Sequence, residues 1–102
     1  MPIIDVQRHP DYEIEIRQVE SLIDDSGITD FVSRHIEHYL WTFADTCPRL
    51  DETDLYLYKP DFSPLIEGEI AVFFTFELVN GKQTVMLRGI TYTTESEMDK
   101  EA

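Results

Sequence analysis

The chain has 102 residues and a formal net charge of −13, from 21 acidic against eight basic side chains. A surface this negative repels phosphate backbones and anionic lipid heads, and it favours cationic or nucleic-acid-binding proteins as partners. Hydrophobic content of 42%, with 12% aromatic, supports one packed domain over residues 1–94 and excludes a wholly disordered chain.

Residues 95–102 close the sequence with Glu95, Glu97, Asp99 and Glu101 and no apolar periodicity, so they are expected to form an acidic, flexible tail. Cys47 stands alone, which rules out an internal disulfide and favours a reducing, cytoplasmic setting. No apolar run approaches the roughly 18–20 residues of a membrane span. No basic stretch followed by an apolar one marks a secretory signal. A saline cytoplasm would also select such a composition, without any specific partner.

In chain order, Pro2 to Gln7 reads as a short strand carrying Ile3, Ile4 and Val6, broken by Arg8-His9-Pro10-Asp11. Residues 12–16 alternate like a strand, but Tyr12, Ile16, Val19 and Ile23 fall at helical spacing and Pro10-Asp11 makes a helix start. A helix over Asp11–Asp25 absorbs more of the pattern and leaves only Ile14 on the wrong face. Asp25-Ser26-Gly27 closes it.

Thr29 or Asp30 is expected to cap a second helix that runs to Thr46, before Cys47-Pro48. Val32, Ile36, Tyr39, Leu40 and Phe43 share its apolar face. After a polar turn at 48–54, Leu55–Lys59 reads as a strand and 60–68 as a loop. Glu69–Val79 and Lys82–Thr93 then flank Asn80-Gly81, the pair that a type I′ hairpin turn demands.

The turn places Val79 opposite Lys82, Phe76 opposite Val85 and Phe74 opposite Leu87. Ile70, Val72, Phe74, Phe76 and Leu78 should therefore face the helices. Ala71, Phe73, Thr75, Met86, Arg88, Ile90 and Tyr92 should line the other face, with Phe73 beside Arg88. The expected fold is α+β, in the order β-α-α-β-β-β, with two N-terminal helices on one face of a mostly antiparallel three- to four-stranded sheet.

This order and three runs of residues resemble the RelE/ParE toxin superfamily. His9-Pro-Asp-Tyr-Glu-Ile-Glu-Ile is similar to the family's opening and Cys47-Pro-Arg-Leu to the end of its second helix. Ile70-Ala-Val-Phe-Phe with Thr84-Val-Met-Leu-Arg-Gly-Ile-Thr-Tyr-Thr-Thr resembles the final hairpin of the HigB-like, phage-derived branch. The resemblance implies a toxin, either cutting mRNA on the ribosome or inhibiting gyrase, wrapped by an antitoxin. The sequence departs from the pattern where catalysis would sit. Arg88 stands in place of a His, and Tyr92-Thr93 in place of a Lys pair, so the basic residues that phosphate chemistry needs are reduced.

Other constellations carry bland readings. His35 and His38 sit one helical turn apart with His9 as a candidate third ligand, but His-Ile-Glu-His lacks the zincin spacing and no Cys or carboxylate is fixed as a further ligand, so they read as boundary histidines. Cys47, at a helix C-terminus, reads as a packing residue. The acid pairs Glu13/Glu15, Asp24/Asp25 and Asp51/Glu52/Asp54 read as solvated surface. Trp41 differs, because at 100° per residue it points away from the apolar stripe, beside Arg34, Glu37, His38 and Asp45.

The sequence thus predicts a non-enzymatic interaction module with no metal and no cofactor, touching its partner through Trp41, Phe73, Arg88 and Tyr92. The partner is an antitoxin-like peptide, a basic nucleic-acid-binding protein or a second copy of the chain. A second expectation is an acidic mimic of nucleic acid, presenting Asp51, Glu52, Asp54, Asp61 and Glu67 in one band. A third is an active mRNA interferase.

Overall fold

Asn80 and Gly81 both adopt positive φ, 53° and 77°, as a type I′ turn requires, and the strands they join form the longest pairing among the described residues. The computed structural model describes residues 5–94. In order these form β1 (Asp5–Arg8), α1 (Pro10–Ile23), α2 (Ser26–Phe43), a 3-10 turn (Ala44–Thr46), β2 (Tyr56–Tyr58), β3 (Glu69–Val79) and β4 (Lys82–Thr93). The acidic segment 95–102, and Ile3 and Ile4 of the first strand, lie outside the described residues.

The four strands make one sheet in the order β1-β4-β3-β2. β1 runs parallel to β4, and the other two pairings are antiparallel. The helices pack on one face, so the α+β architecture is as the element order implied.

The helix boundaries have local causes. His9 precedes α1 in an extended conformation and its Nδ1 accepts the Asp11 N–H at 3.1 Å, while Pro10 occupies the first turn, where no N–H is needed. Asp24 ends the helix in the left-handed region at φ 53°, and its N–H bonds the Glu20 carbonyl. Asp25, not Thr29 or Asp30, caps α2, its carboxylate accepting the Ile28 N–H at 3.1 Å. Asp25-Ser26-Gly27 therefore starts the second helix rather than closing the first. Thr29 instead bonds the Ser26 carbonyl from inside the first turn. α2 stops at Phe43, and the remaining residues to Thr46 tighten into the 3-10 turn.

The core lies between helices and sheet. Tyr12, Ile16 and Val19 of α1 and Val32, Ile36 and Leu40 of α2 meet Val72, Phe74, Val85 and Leu87. Burying a side chain of this size contributes about 1.5–3 kcal/mol. Ile14 points outward, 57% exposed, as the helical reading requires. Phe62 and Ile66 of the 60–68 loop are buried in the same cluster, so that loop packs on the helix side of the sheet.

One departure reshapes the outer surface. The hairpin register holds from Val79/Lys82 to Phe74/Leu87, then slips, so that Phe73 pairs with Gly89 and Val72 with Ile90. Arg88 is the extra residue of a β-bulge. Phe73 and Arg88 are therefore not opposite one another. The slip also reverses the alternation beyond it. Ile90 is buried opposite Val72, and Tyr92 lies opposite Ile70, packed against the core. Strict alternation assigns both to the outer face. Leu78 keeps the core-side face but is exposed, because the hairpin tip extends past the buried layer.

Candidate functional site

The four residues singled out in the sequence fall in three places. Phe73 and Arg88 remain on the outer sheet face. Tyr92 is on the helix side, where its hydroxyl donates to the Glu67 carbonyl at 2.6 Å and fastens the 60–68 loop to β4. Trp41 is on α2, 52% exposed.

On the outer face Arg88 is held by its neighbours. Its Nε donates to Thr75 Oγ1 at 3.3 Å and its Nη2 donates to Glu77 Oε2, while Thr75 Oγ1 donates to the same carboxylate oxygen at 2.6 Å. The Thr75 hydroxyl and then the Arg88 guanidinium hold the Glu77 carboxyl below its ordinary range. The three residues border a hollow of about 390 Å³ that Arg49, Asp54, Tyr56 and Phe76 complete. Its lining carries two cations and two carboxylates, so it presents no net charge to a phosphate.

On α2 the outward face is more apolar than the wheel alone suggests. Trp41 lines a hollow of about 430 Å³ with Asp5, Val6, Glu37 and His38. His38 also borders a second hollow, of about 380 Å³, with Gly27, Phe31 and Arg34. Phe31, Arg34, His38 and Trp41 recur at intervals of three and four, which puts them on one solvent-facing stripe. Phe31 is 50% exposed and Arg34 is tied to Asp30 at 3.1 Å. Trp41 does not pack beneath the 60–68 loop, which reaches α2 at Phe31 and His35 through Phe62.

His35 has a structural role: its Nε2 and the Tyr58 hydroxyl share a hydrogen bond at 3.1 Å. Tyr39 stacks on Tyr58 with ring centroids 4.3 Å apart and the planes 3° from parallel. Phe31, His35, Tyr39 and Phe43, each four residues from the last, form a ridge of ring contacts along the helix. That spacing is present in the sequence, but an apolar-stripe reading absorbs Tyr39 and Phe43 into the core and leaves His35 at its edge. Burial first, then Tyr39, pushes the Tyr58 hydroxyl up to about 12. Among the described residues no group of three His, Cys, Asp or Glu side chains is placed to hold a metal ion.

Cys47 is half-buried, and burial with the nearby Asp45 raises its thiol. Asp51, Glu52, Asp54, Asp61 and Glu67 are all exposed, but they belong to two loops, one before β2 and one after it. No helix among the described residues is long and apolar enough to cross a membrane. No protein-family model, curated protein or solved structure matches this chain.

Proposed function

We propose that the chain is a non-enzymatic protein-interaction module with RelE/ParE toxin-like architecture. It acts as one member of a toxin–antitoxin pair, or as a relative that retains docking without cleavage. The β-α-α-β-β-β order is the one on which the family resemblance rests. The observation that carries the non-enzymatic reading is the bulge. It leaves Arg88 on the outer face and turns Tyr92 to the helix side, so the two groups that could have served one phosphate lie on opposite faces of the sheet. Arg88 is moreover engaged by Glu77 and Thr75. Docking through α2 is supported by Trp41, a half-exposed indole in a polar rim, which is a composition that contributes strongly when a partner covers it.

A photo-reactive amino acid at position 41, introduced in the native host, tests this reading. A discrete protein adduct is expected there, and none from the same group at Arg17, an exposed position on α1. Induced expression followed by primer extension provides the opposing arm. Cleavage of mRNA that disappears in Arg88→Ala would overturn the proposal in favour of an active interferase.

A further inference from the structure

β3 is eleven residues long, yet β2 pairs with only Val72, Phe73 and Phe74. Among the described residues, no strand lies along Thr75–Val79 on the side away from β4. β2 and Leu55, the residue before it, are tied to the preceding segment. Leu57 N–H bonds the Pro48 carbonyl at 2.9 Å, and Leu50 N–H bonds the Leu55 carbonyl at 2.8 Å.

The ladder determines which backbone groups are left over. In an antiparallel pair, successive residues bond alternately to one neighbour and away from it. A two-residue turn makes Val79 and Lys82 the closing hydrogen-bonded pair, so Val79, Glu77 and Thr75 bond to β4. Leu78 and Phe76 turn their N–H and C=O groups to the unpaired side.

Three further observations converge there. Leu78 is 70% exposed, more than any other large apolar side chain described. Phe76, half-buried, meets Tyr56 edge-on at 4.8 Å and leaves part of its ring at the rim. The hollow of about 390 Å³ opens beside Thr75, Phe76 and Glu77. Edge strands are ordinarily blunted by proline, lysine or a bulge. Thr75-Phe76-Glu77-Leu78-Val79 contains none of these, and the charge of Glu77 is matched by Arg88.

We propose that this edge of β3 receives an extended, basic segment of another protein as an added strand, its apolar side chains against Phe76 and Leu78 and its basic ones on alternate positions. Backbone bonds to Phe76 and Leu78 would supply affinity, and the alternation would supply specificity. The basic character follows from charge. The hollow is balanced, but the chain as a whole carries −13, which attracts a cationic segment and opposes a second copy. This deepens the reading above and rests on it, since it names the contact that a protein partner would make.

Amide hydrogen exchange on the full, isotopically labelled chain tests it, with acetyl-Lys-Val-Lys-Val-Lys-Val-Lys-amide as probe and its Glu-for-Lys counterpart as control. In the free protein, Phe76 and Leu78 amides should exchange at least about tenfold faster than those of Glu77 and Val79. The basic probe should slow both, and the acidic one should not. Leu78→Pro removes the outward N–H without touching the β4 ladder, and Leu78→Lys removes the apolar contact. Each should weaken binding by about tenfold, with thermal melts confirming that both fold.

Protection of these amides in the free chain at every concentration would mean that its own residues fill the edge, and would overturn the proposal. Protection that grows with concentration alongside a sedimenting dimer would assign the edge to a second copy, and would overturn it equally. Probe binding that leaves amides 76 and 78 exchanging freely would reduce the effect to charge attraction and also overturn it. Crosslinks from position 41 with an unfilled edge would remove this site alone and leave the broader interaction reading standing.

Discussion

The Glu15 carboxylate accepts the Ile90 backbone N–H at 2.8 Å, joining α1 to β4 at the point where β1 has ended. β1 pairs with β4 only as far as Arg8/Leu87, and the His9 N–H bonds the Leu87 carbonyl. Past that point the edge of β4 has no strand beside it among the described residues, and Glu15 satisfies one of its donors. Glu15→Ala should cost about 1–2 kcal/mol by leaving a partly buried N–H without its acceptor. Urea unfolding with an unchanged slope would measure it.

Gly89 belongs to the same contact. A Cβ there would stand 3.0 Å from Glu15 Oε2, so the carboxylate would have to give by a few tenths of an ångström, at the expense of its bond to Ile90. Gly89→Ala should therefore destabilise by about 1 kcal/mol, and much less when Glu15 is already alanine. A double-mutant cycle with no coupling would show that the two positions act separately.

Tyr12 is fully buried, with its hydroxyl lacking a hydrogen-bond partner among the described residues. Burial holds that hydroxyl far above its ordinary titration range. Tyr12→Phe removes the unpaired oxygen and keeps the ring, so it should stabilise the protein by about 1 kcal/mol. A lower melting temperature in the variant would contradict this.

Glu77 gives a pH dependence with a definite sign. Its folded carboxyl is held below the ordinary value, by Thr75 and then Arg88, so the pair stabilises the protein above the unfolded carboxyl range. That contribution fades as pH falls through the folded value. Both side chains are about a third exposed, so solvent screens the pair, and it is worth about 0.5 kcal/mol. Glu77→Gln should flatten the difference in stability between pH 7 and pH 3, read by denaturant titrations at each pH against the parent chain.

Tyr58 acts at the other end of the scale. Its hydroxyl, pushed up to about 12, stays neutral in the fold where an unfolded tyrosine ionises near its ordinary value of 10. The stability this gives is complete below the ordinary value and is lost as pH rises through about 12. Tyr58→Phe should remove this alkaline slope, and ultraviolet titration should show one fewer late-ionising tyrosine.

Much of the fold is legible because local signals agree with the global pattern. Asn80-Gly81 sets the hairpin register as far as Phe74/Leu87, and the stripe of Val32, Ile36 and Leu40 finds the sheet. The bulge is hidden because counting from a turn assumes strict alternation. Its trace is Leu87-Arg88-Gly89-Ile90, where apolar residues stand three apart around a glycine inside a strand. Glu15 and Asp25 are lost among so many acids. Their roles depend on which backbone N–H lies within reach, and composition does not record that.

The extra residue at position 88 works as a parity switch in β4. Downstream of it every side chain sits on the side opposite to the one simple alternation assigns, so Ile90 and Tyr92 are turned inward. Drawing position 88 into a regular ladder, with no bulge, would turn the end of the strand inside out. The loop anchored by Tyr92 would lose its fastening while the hairpin tip kept its shape. The two ends of one strand are in this sense independently editable, with position 88 as the seam between them.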